Sequence, residues 1–280
     1  MEEAENKFLF ILSPPFSGTT LLWNILGSSP NVSSHPNEGQ FLDGARQEMR
    51  GNQWDSEKEI DWDRVEDVWR RHWDPSKAVL LEKSPPNLLR ASELGGRFDP
   101  AYFIVMMRNP YAFIEGVERR DNDMGARAAA ELWVKCASAQ RNNQERLKRT
   151  ISFTYKSFTE SPRQILDDII DFMPDVEKVN VDKIESQSFL GTHSKIQNMN
   201  PMKINRLDRE SIESANEVLD GHQDLLSHFG FELRNPARHS QVAKARTRLA
   251  HLIVRAIRYR DILPEKLIHP LERWLLGKSL

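Results

Sequence analysis

"KFLFILSPPFSGTTLLWNIL", residues 7–26, decides how the chain is read. Lys7–Leu12 is a short apolar run with the character of a buried strand, and it breaks at Pro14-Pro15. Apolar residues resume at helical spacing from about Thr19 to Leu26, after Ser17-Gly18. A strand, a tight loop with glycine and hydroxyl side chains, and a helix in that order form an anion cradle. Backbone N–H groups at the helix start point at the anion, and the helix dipole favours its charge. Gly18 lets the backbone come close, and Thr19 and Thr20 add hydroxyl donors. The plainer reading is an ordinary helix start after a turn.

Working outward, Ala78–Leu81 is a second short strand, followed by the charged loop "EKSPPNLL". "AYFIVMMRNP" (Ala101–Pro110) is apolar throughout, as the centre of a parallel sheet is. Helices are expected at 54–75, where Trp62, Val65, Trp69 and Trp73 share a face, and at about 126–147. A strand over "TISFTYKSF" follows, then helices from Pro162 to Phe172, at about Asp208–Gly230, and at about Val242–Tyr259. The tryptophan stripe reads first as core and second as a lid over an acceptor. Strands alternating with helices predict an α/β fold: a three-layer sandwich with a central parallel sheet, a phosphate-binding-loop type of nucleotide site and helical insertions. Residues 1–233 are expected to form this domain and 234–280 a basic helical extension.

Arg108 stands at the C-terminal end of the most apolar strand, where open α/β sheets bind ligands. Its planar fork suits a phosphate, although a salt bridge capping the sheet is the structural alternative. Against the nucleotide-triphosphatase pattern GxxxxGK[ST], Ser13 replaces the first glycine and Thr19 the lysine. Without that lysine, ATP- or GTP-dependent phosphoryl transfer is poorly supported.

"SPPFSGTTLL" followed by "FIVMMRNPYAFIEG" resembles the sulfotransferases that use 3′-phosphoadenosine 5′-phosphosulfate (PAPS). The resemblance covers roughly residues 7–233. It implies that the loop of Pro15, Phe16, Ser17, Gly18, Thr19 and Thr20 holds the 5′-phosphosulfate and that Arg108 holds the 3′-phosphate. "SFTYKSFTESP" resembles the family's "YExLxxxP" segment and brings Tyr155 to the adenine side. "EKSP" implies Lys83 as the cation on the phosphosulfate, and "SSHPNEGQFL" carries the general base, Glu38 or, second, His35. A late basic segment closes over the 3′-phosphate, with Lys195, Lys203 and Arg206 as its options; Asn87 and Arg90 are thinner candidates. PAPS is then the co-substrate, a hydroxyl-bearing glycan, lipid or small metabolite the acceptor, and no metal is required. Three positions depart from the pattern. Phe16 replaces an Arg or Lys, Gly116 stands where a Ser completes the 3′-phosphate site, and Lys156 replaces an acidic residue.

Charge sharpens the division of the chain. Residues 234–280 hold eleven Lys/Arg against three Asp/Glu, a net +8 on a body of −10. With −2 overall, the whole protein does not read as a nucleic-acid partner. The tail has two readings: a helix lying on an anionic membrane surface, or a terminal helix packed on the domain with a solvated basic face. A single cysteine, Cys136, excludes an intramolecular disulfide and a Cys-based zinc site. The acidic start "MEEAENK" lacks the basic region of a secretory leader, so the expectation is a cytoplasmic protein, peripheral at the inner membrane face if the tail meets lipid. Two other readings stand beside the enzyme: a sulfotransferase-like binding protein without catalysis, and a nucleotide-dependent kinase.

Overall fold

In the computed structural model, which describes residues 6–120, 124–179, 186–188, 191–193 and 196–239, the opening apolar run is the middle of a parallel sheet. β1 (Lys7–Leu12) leads to α1 (Thr19–Leu26), β2 (Val32–Ser34), α2 (Ala45–Met49), α3 (Trp62–His72), β3 (Val79–Glu82) and α4 (Ala91–Arg97). β4 (Ala101–Met107), α5 (Pro110–Arg120), α6 (Ala126–Arg146), β5 (Thr150–Thr154), α7 (Tyr155–Glu160) and α8 (Pro162–Phe172) follow. β6 (Ser186–Ser188) pairs with β7 (Gly191–His193), and α9 (Asn200–Ile204), α10 (Arg209–Leu219) and α11 (Gln223–His228) come last.

The five-stranded sheet has the order β2-β3-β1-β4-β5 with every neighbouring pair parallel. From β1 the chain runs outward to β2, returns through β3, and crosses to β4 on the other side of β1. The loops after β1 and β4 therefore diverge, and the crevice between them is the switch point at which such sheets take ligands.

Alternation along β1 divides the core into two layers. Leu9 and Ile11 join Leu22, Ile25 and Leu26 of α1, Phe158 of α7, and Leu166 and Ile169 of α8. Phe8 and Phe10 face the other way, against Phe98, with Trp73 near Phe8 and Phe103 and Trp69 near Phe10. Sheet and two covering layers make the three-layer α/β sandwich. Phe10 is fully buried in the aromatic layer, and Phe10→Ala would cost about 3–5 kcal/mol through lost transfer energy and the cavity left behind. Trp69 and Trp73 thus serve the core, whereas Trp62 is half-buried and donates to Glu93.

Three elements differ from the sequence expectation. The tryptophan helix starts only at Trp62, because Asp61 caps it by accepting the Arg64 N–H (3.1 Å). The strand at 150–158 stops at Thr154, where a capping box between Thr154 and Ser157 starts α7. The helix at 208–230 is divided into α10 and α11 by a single 3₁₀ turn at Asp220–His222. The tail expected as a basic helix lies outside the described residues.

The described residues form two compact units. The first holds the chain to Arg108, Trp133–Gln187 and Thr192–Asn198, and the second holds the remainder. In the second, α5 packs on α9. The Tyr111 hydroxyl donates to Asn216 Oδ1 and accepts the Arg234 N–H (2.9 Å), while Asn216 Nδ2 donates to the Arg234 carbonyl (2.8 Å). No helix among the described residues is long and apolar enough to cross a membrane.

Candidate functional site

The loop after β1 is built to expose backbone N–H groups. Gly18, immediately before α1, has φ +81°, and no side chain caps the helix start, so no cap competes with a ligand for the first N–H groups of α1. A Cβ on Gly18 would lie 2.6 Å from Cε2 of Tyr155, so this position is closed to any larger residue on two counts. Phe16 also has positive φ (+60°), a costly conformation for a bulky side chain. Its carbonyl accepts a hydrogen bond from Arg108 Nη1 (2.5 Å).

Arg108 is buried at the mouth of the crevice, with its guanidinium carbon 3.9 Å from the centre of the Tyr155 ring. Tyr155 opens α7 just past the end of β5, and its hydroxyl donates to the Gln197 carbonyl (3.2 Å). Gly18, Phe16, Arg108 and Tyr155 therefore come together at the C-terminal ends of β1, β4 and β5. Behind them, α6 secures the strand ends: Gln140 Nε2 donates to the Leu12 carbonyl (2.7 Å), and Trp133 Nε1 donates to the Arg108 carbonyl (2.9 Å). These two residues were not singled out in the sequence, although Trp133, Ala137 and Gln140 lie on one buried helical stripe on which a lone amide is a signal.

The other side of the loop carries Lys83. Its ammonium donates to Thr20 Oγ1 (3.4 Å) and to Glu38 Oε1, and lies 5.7 Å from the centre of the Trp23 ring. The Lys83 side chain is 3% exposed and that of Glu38 21%, so the pair opens to solvent on the carboxylate side. The second oxygen of Glu38 accepts from Gln40 Nε2. A buried ammonium, a hydroxyl at the helix start and a partly open carboxylate thus meet at the loop.

His35 is placed differently. It is fully buried, stacked on Trp73 (4.5 Å between centres), with Nδ1 3.1 Å from Glu82 Oε2 and Nε2 3.3 Å from the Trp69 carbonyl. Both ring nitrogens are engaged inside the aromatic layer, and this arrangement offers neither to an acceptor. Glu82, which is not singled out in the sequence, is 1% exposed. It accepts from the Gly39 N–H (3.1 Å), Asn87 Nδ2 (3.3 Å) and the Ser84 hydroxyl. Burial alone would raise its carboxyl. The His35 hydrogen bond and charge, the Ser84 hydroxyl and the Lys83 backbone N–H outweigh that, and the net direction is down. Arg90 is buried and spent on the carbonyls of Ser56 (3.0 Å) and Asp55 (2.6 Å).

The remaining candidates belong to the second unit. Gly116 is buried in α5, and its neighbour Glu115 is surrounded by cations: Lys203 Nζ at 3.2 Å, Arg206 Nη1 at 3.3 Å and Arg119 Nε at 3.2 Å. Burial pushes the Glu115 carboxyl up, but these cations bring it below its ordinary value. Two of the late basic residues are therefore already in contact with a carboxylate; the third, Lys195, lies outside the described residues. No group of three or more His, Cys, Asp or Glu able to hold a metal occurs among the described residues.

Residues 9–175 match the model of a sulfotransferase family, Sulfotransfer_3. Among solved structures, the chain is similar to a sulfotransferase domain from the curacin biosynthetic pathway (TM-score 0.51, 20% identity, 82% of this chain and 99% of that one). It is also similar to a sulfotransferase from Alicyclobacillus acidocaldarius (TM-score 0.53, 18% identity, 82% and 98%). At these identities the two structures speak for the fold. No curated protein sequence matches significantly.

Proposed function

The chain belongs to the sulfotransferase family, and on that premise we propose that it moves the sulfuryl group of PAPS onto an acceptor hydroxyl by in-line displacement. The observation that carries this reading is the meeting of Lys83 with Thr20 on one side and Glu38 on the other. A cation and a carboxylate at the phosphate loop are the two groups that in-line transfer requires.

The fit to the nucleotide rests on the loop itself. The uncapped start of α1, the left-handed Gly18 and the ring of Tyr155 against it leave backbone donors and an aromatic surface where a phosphosulfate and a base would lie. Arg108 is the 3′-phosphate ligand in this reading. The donor supplies a sulfuryl group already activated by its bond to phosphate. Glu38 takes the proton of the acceptor hydroxyl as that oxygen forms its bond to sulfur. Lys83 faces the phosphate oxygen that keeps the electron pair of the broken S–O bond. A transferring sulfuryl group carries less negative charge than a phosphoryl group, so one lysine with backbone and hydroxyl donors suffices, without a metal. The acceptor is a hydroxyl of a glycan, lipid or small metabolite, and the cell compartment proposed is the cytoplasm.

A second reading, a nucleotide-binding relative without catalysis, has Phe16 and Gly116 in its favour, which stand where the family's pattern has a cation and a serine. Calorimetric titration with adenosine 3′,5′-bisphosphate, beside ADP and ATP in EDTA, separates the readings when joined to a transfer assay with labelled PAPS and a panel of hydroxyl acceptors. Micromolar binding of the bisphosphate with label transfer supports the enzyme. Binding without transfer to any acceptor supports the second reading, and no binding overturns both.

A further inference from the structure

We propose that Glu82 is a positioning residue that sets Glu38 against Lys83; the inference rests on the roles given to those two residues above. Two adjacent residues at the end of β3 grip two adjacent residues of the turn that follows β2. Lys83 takes the carboxylate of Glu38, and Glu82 takes the backbone N–H of Gly39 (3.1 Å). Glu82 ends β3 and Lys83 follows it, so the turn is held at two consecutive points of the chain.

The grip is reinforced in one connected network. The Ser84 hydroxyl donates to Glu82 Oε1 and accepts the Gln40 N–H (3.0 Å), and Gln40 Nε2 in turn donates to Glu38 Oε2. Asn87 and His35 supply two further contacts to the same carboxylate, and His35 is itself anchored at the Trp69 carbonyl. Gly39 lies so close that a Cβ there would be 2.8 Å from the Glu82 carboxyl carbon and 2.5 Å from Trp69 Nε1. An apolar side chain at position 82 would close the sheet end at a lower desolvation cost. Besides its contacts with Asn87 and His35, the carboxylate collects the N–H of Gly39 and, through Ser84, that of Gln40. These are the two residues that follow Glu38.

Hydrogen exchange tests the grip without any knowledge of the acceptor. In Glu82→Gln, the Gly39 and Gln40 amides are expected to exchange at least about tenfold faster, while amides of β1 and β4 keep their protection. Unchanged exchange at 39 and 40 would overturn the proposal. If Glu82→Gln does not fold, Ser84→Ala removes only the hydroxyl that holds the Gln40 N–H and should accelerate that amide in the same way. Turnover gives the second arm. Glu82→Gln should lower kcat about 10–100-fold with KM for PAPS within about threefold, because misplacement of a reacting group costs rate rather than affinity. The double variant Glu38→Gln/Glu82→Gln should then be no slower than Glu38→Gln alone. Losses that multiply would mean that Glu82 acts independently of Glu38, and the proposal would fail. Wild-type protein that binds the bisphosphate but transfers to no acceptor would refute the catalytic reading, whereas the exchange result would still judge the grip.

Discussion

The ring of Tyr155 touches both Arg108 and Gly18. Its centre is 3.9 Å from the Arg108 guanidinium carbon, and its Cε2 would lie 2.6 Å from a Cβ on residue 18. Gly18→Ala must therefore adopt an unfavourable positive φ and displace a ring held by a cation–π contact and the Gln197 carbonyl. The expected cost is about 1–3 kcal/mol of stability, read from urea denaturation. Affinity for the bisphosphate should fall with it, because the moved ring carries Arg108 along.

Lys83→Ala separates catalysis from binding. Its ammonium touches Thr20 and Glu38, whereas the backbone donors of the loop stay in place. Turnover should drop about 10²–10³-fold, the scale of losing one charge-stabilising donor, with a much smaller change in bisphosphate Kd by calorimetry. Equal losses in both would take the catalytic role away from Lys83.

How much of this was legible in the sequence differs from residue to residue. β1, the loop and α1 were readable because an apolar run, a glycine and a renewed helical period are all local signals. Arg108 was readable because a charge ending a fully apolar strand has few places to be. Glu82 was not. Its burial is caused by the 35–40 turn folding over it, more than forty residues away in the chain, and a Glu-Lys pair before a Pro-Pro segment reads as solvated. The burial of His35 was hidden for the same reason, because its stacking on Trp73 depends on a helix that begins far downstream. Tyr155 was assigned to a strand because alternation continued through it. The Thr154–Ser157 capping box, a local signal that was present, prevailed.

Acid should destabilise the fold in a defined window. Glu82 and Glu115 both have folded-state values below their ordinary 4.5. A depressed carboxyl binds fewer protons folded than unfolded, so its contribution is complete above pH 4.5 and is lost as the pH falls through the folded value. The urea midpoint should hold steady above that pH and decline below it. Glu115→Gln, which removes the negative charge from among Lys203, Arg206 and Arg119, should cost about 3–5 kcal/mol at neutral pH and leave a shallower acid limb. An acid limb identical to wild type in that variant would show that Glu115 does not titrate in this window.

Gln140→Leu tests whether α6 sets the width of the crevice. The buried amide nitrogen donates to the Leu12 carbonyl at 2.7 Å and to the Met106 carbonyl at 3.5 Å, at the ends of the two strands whose loops diverge. The amide oxygen of Gln140 accepts from Asn143 Nδ2 (2.9 Å), which also donates to the Leu88 carbonyl (2.8 Å). Leucine has a similar volume but no donor, so the substitution leaves the Leu12 carbonyl without this partner and disturbs Asn143. A buried polar group deprived of its partner costs about 1–3 kcal/mol, and that is the loss of stability expected. The informative comparison is with binding. If the amide only fills the core, bisphosphate affinity will be unchanged once the folded fraction is accounted for. If it holds β1 and β4 in register at their C-terminal ends, Gln140→Leu will weaken bisphosphate binding by about tenfold in protein that is still folded, because the Gly18 and Arg108 sides of the site then lose their fixed separation.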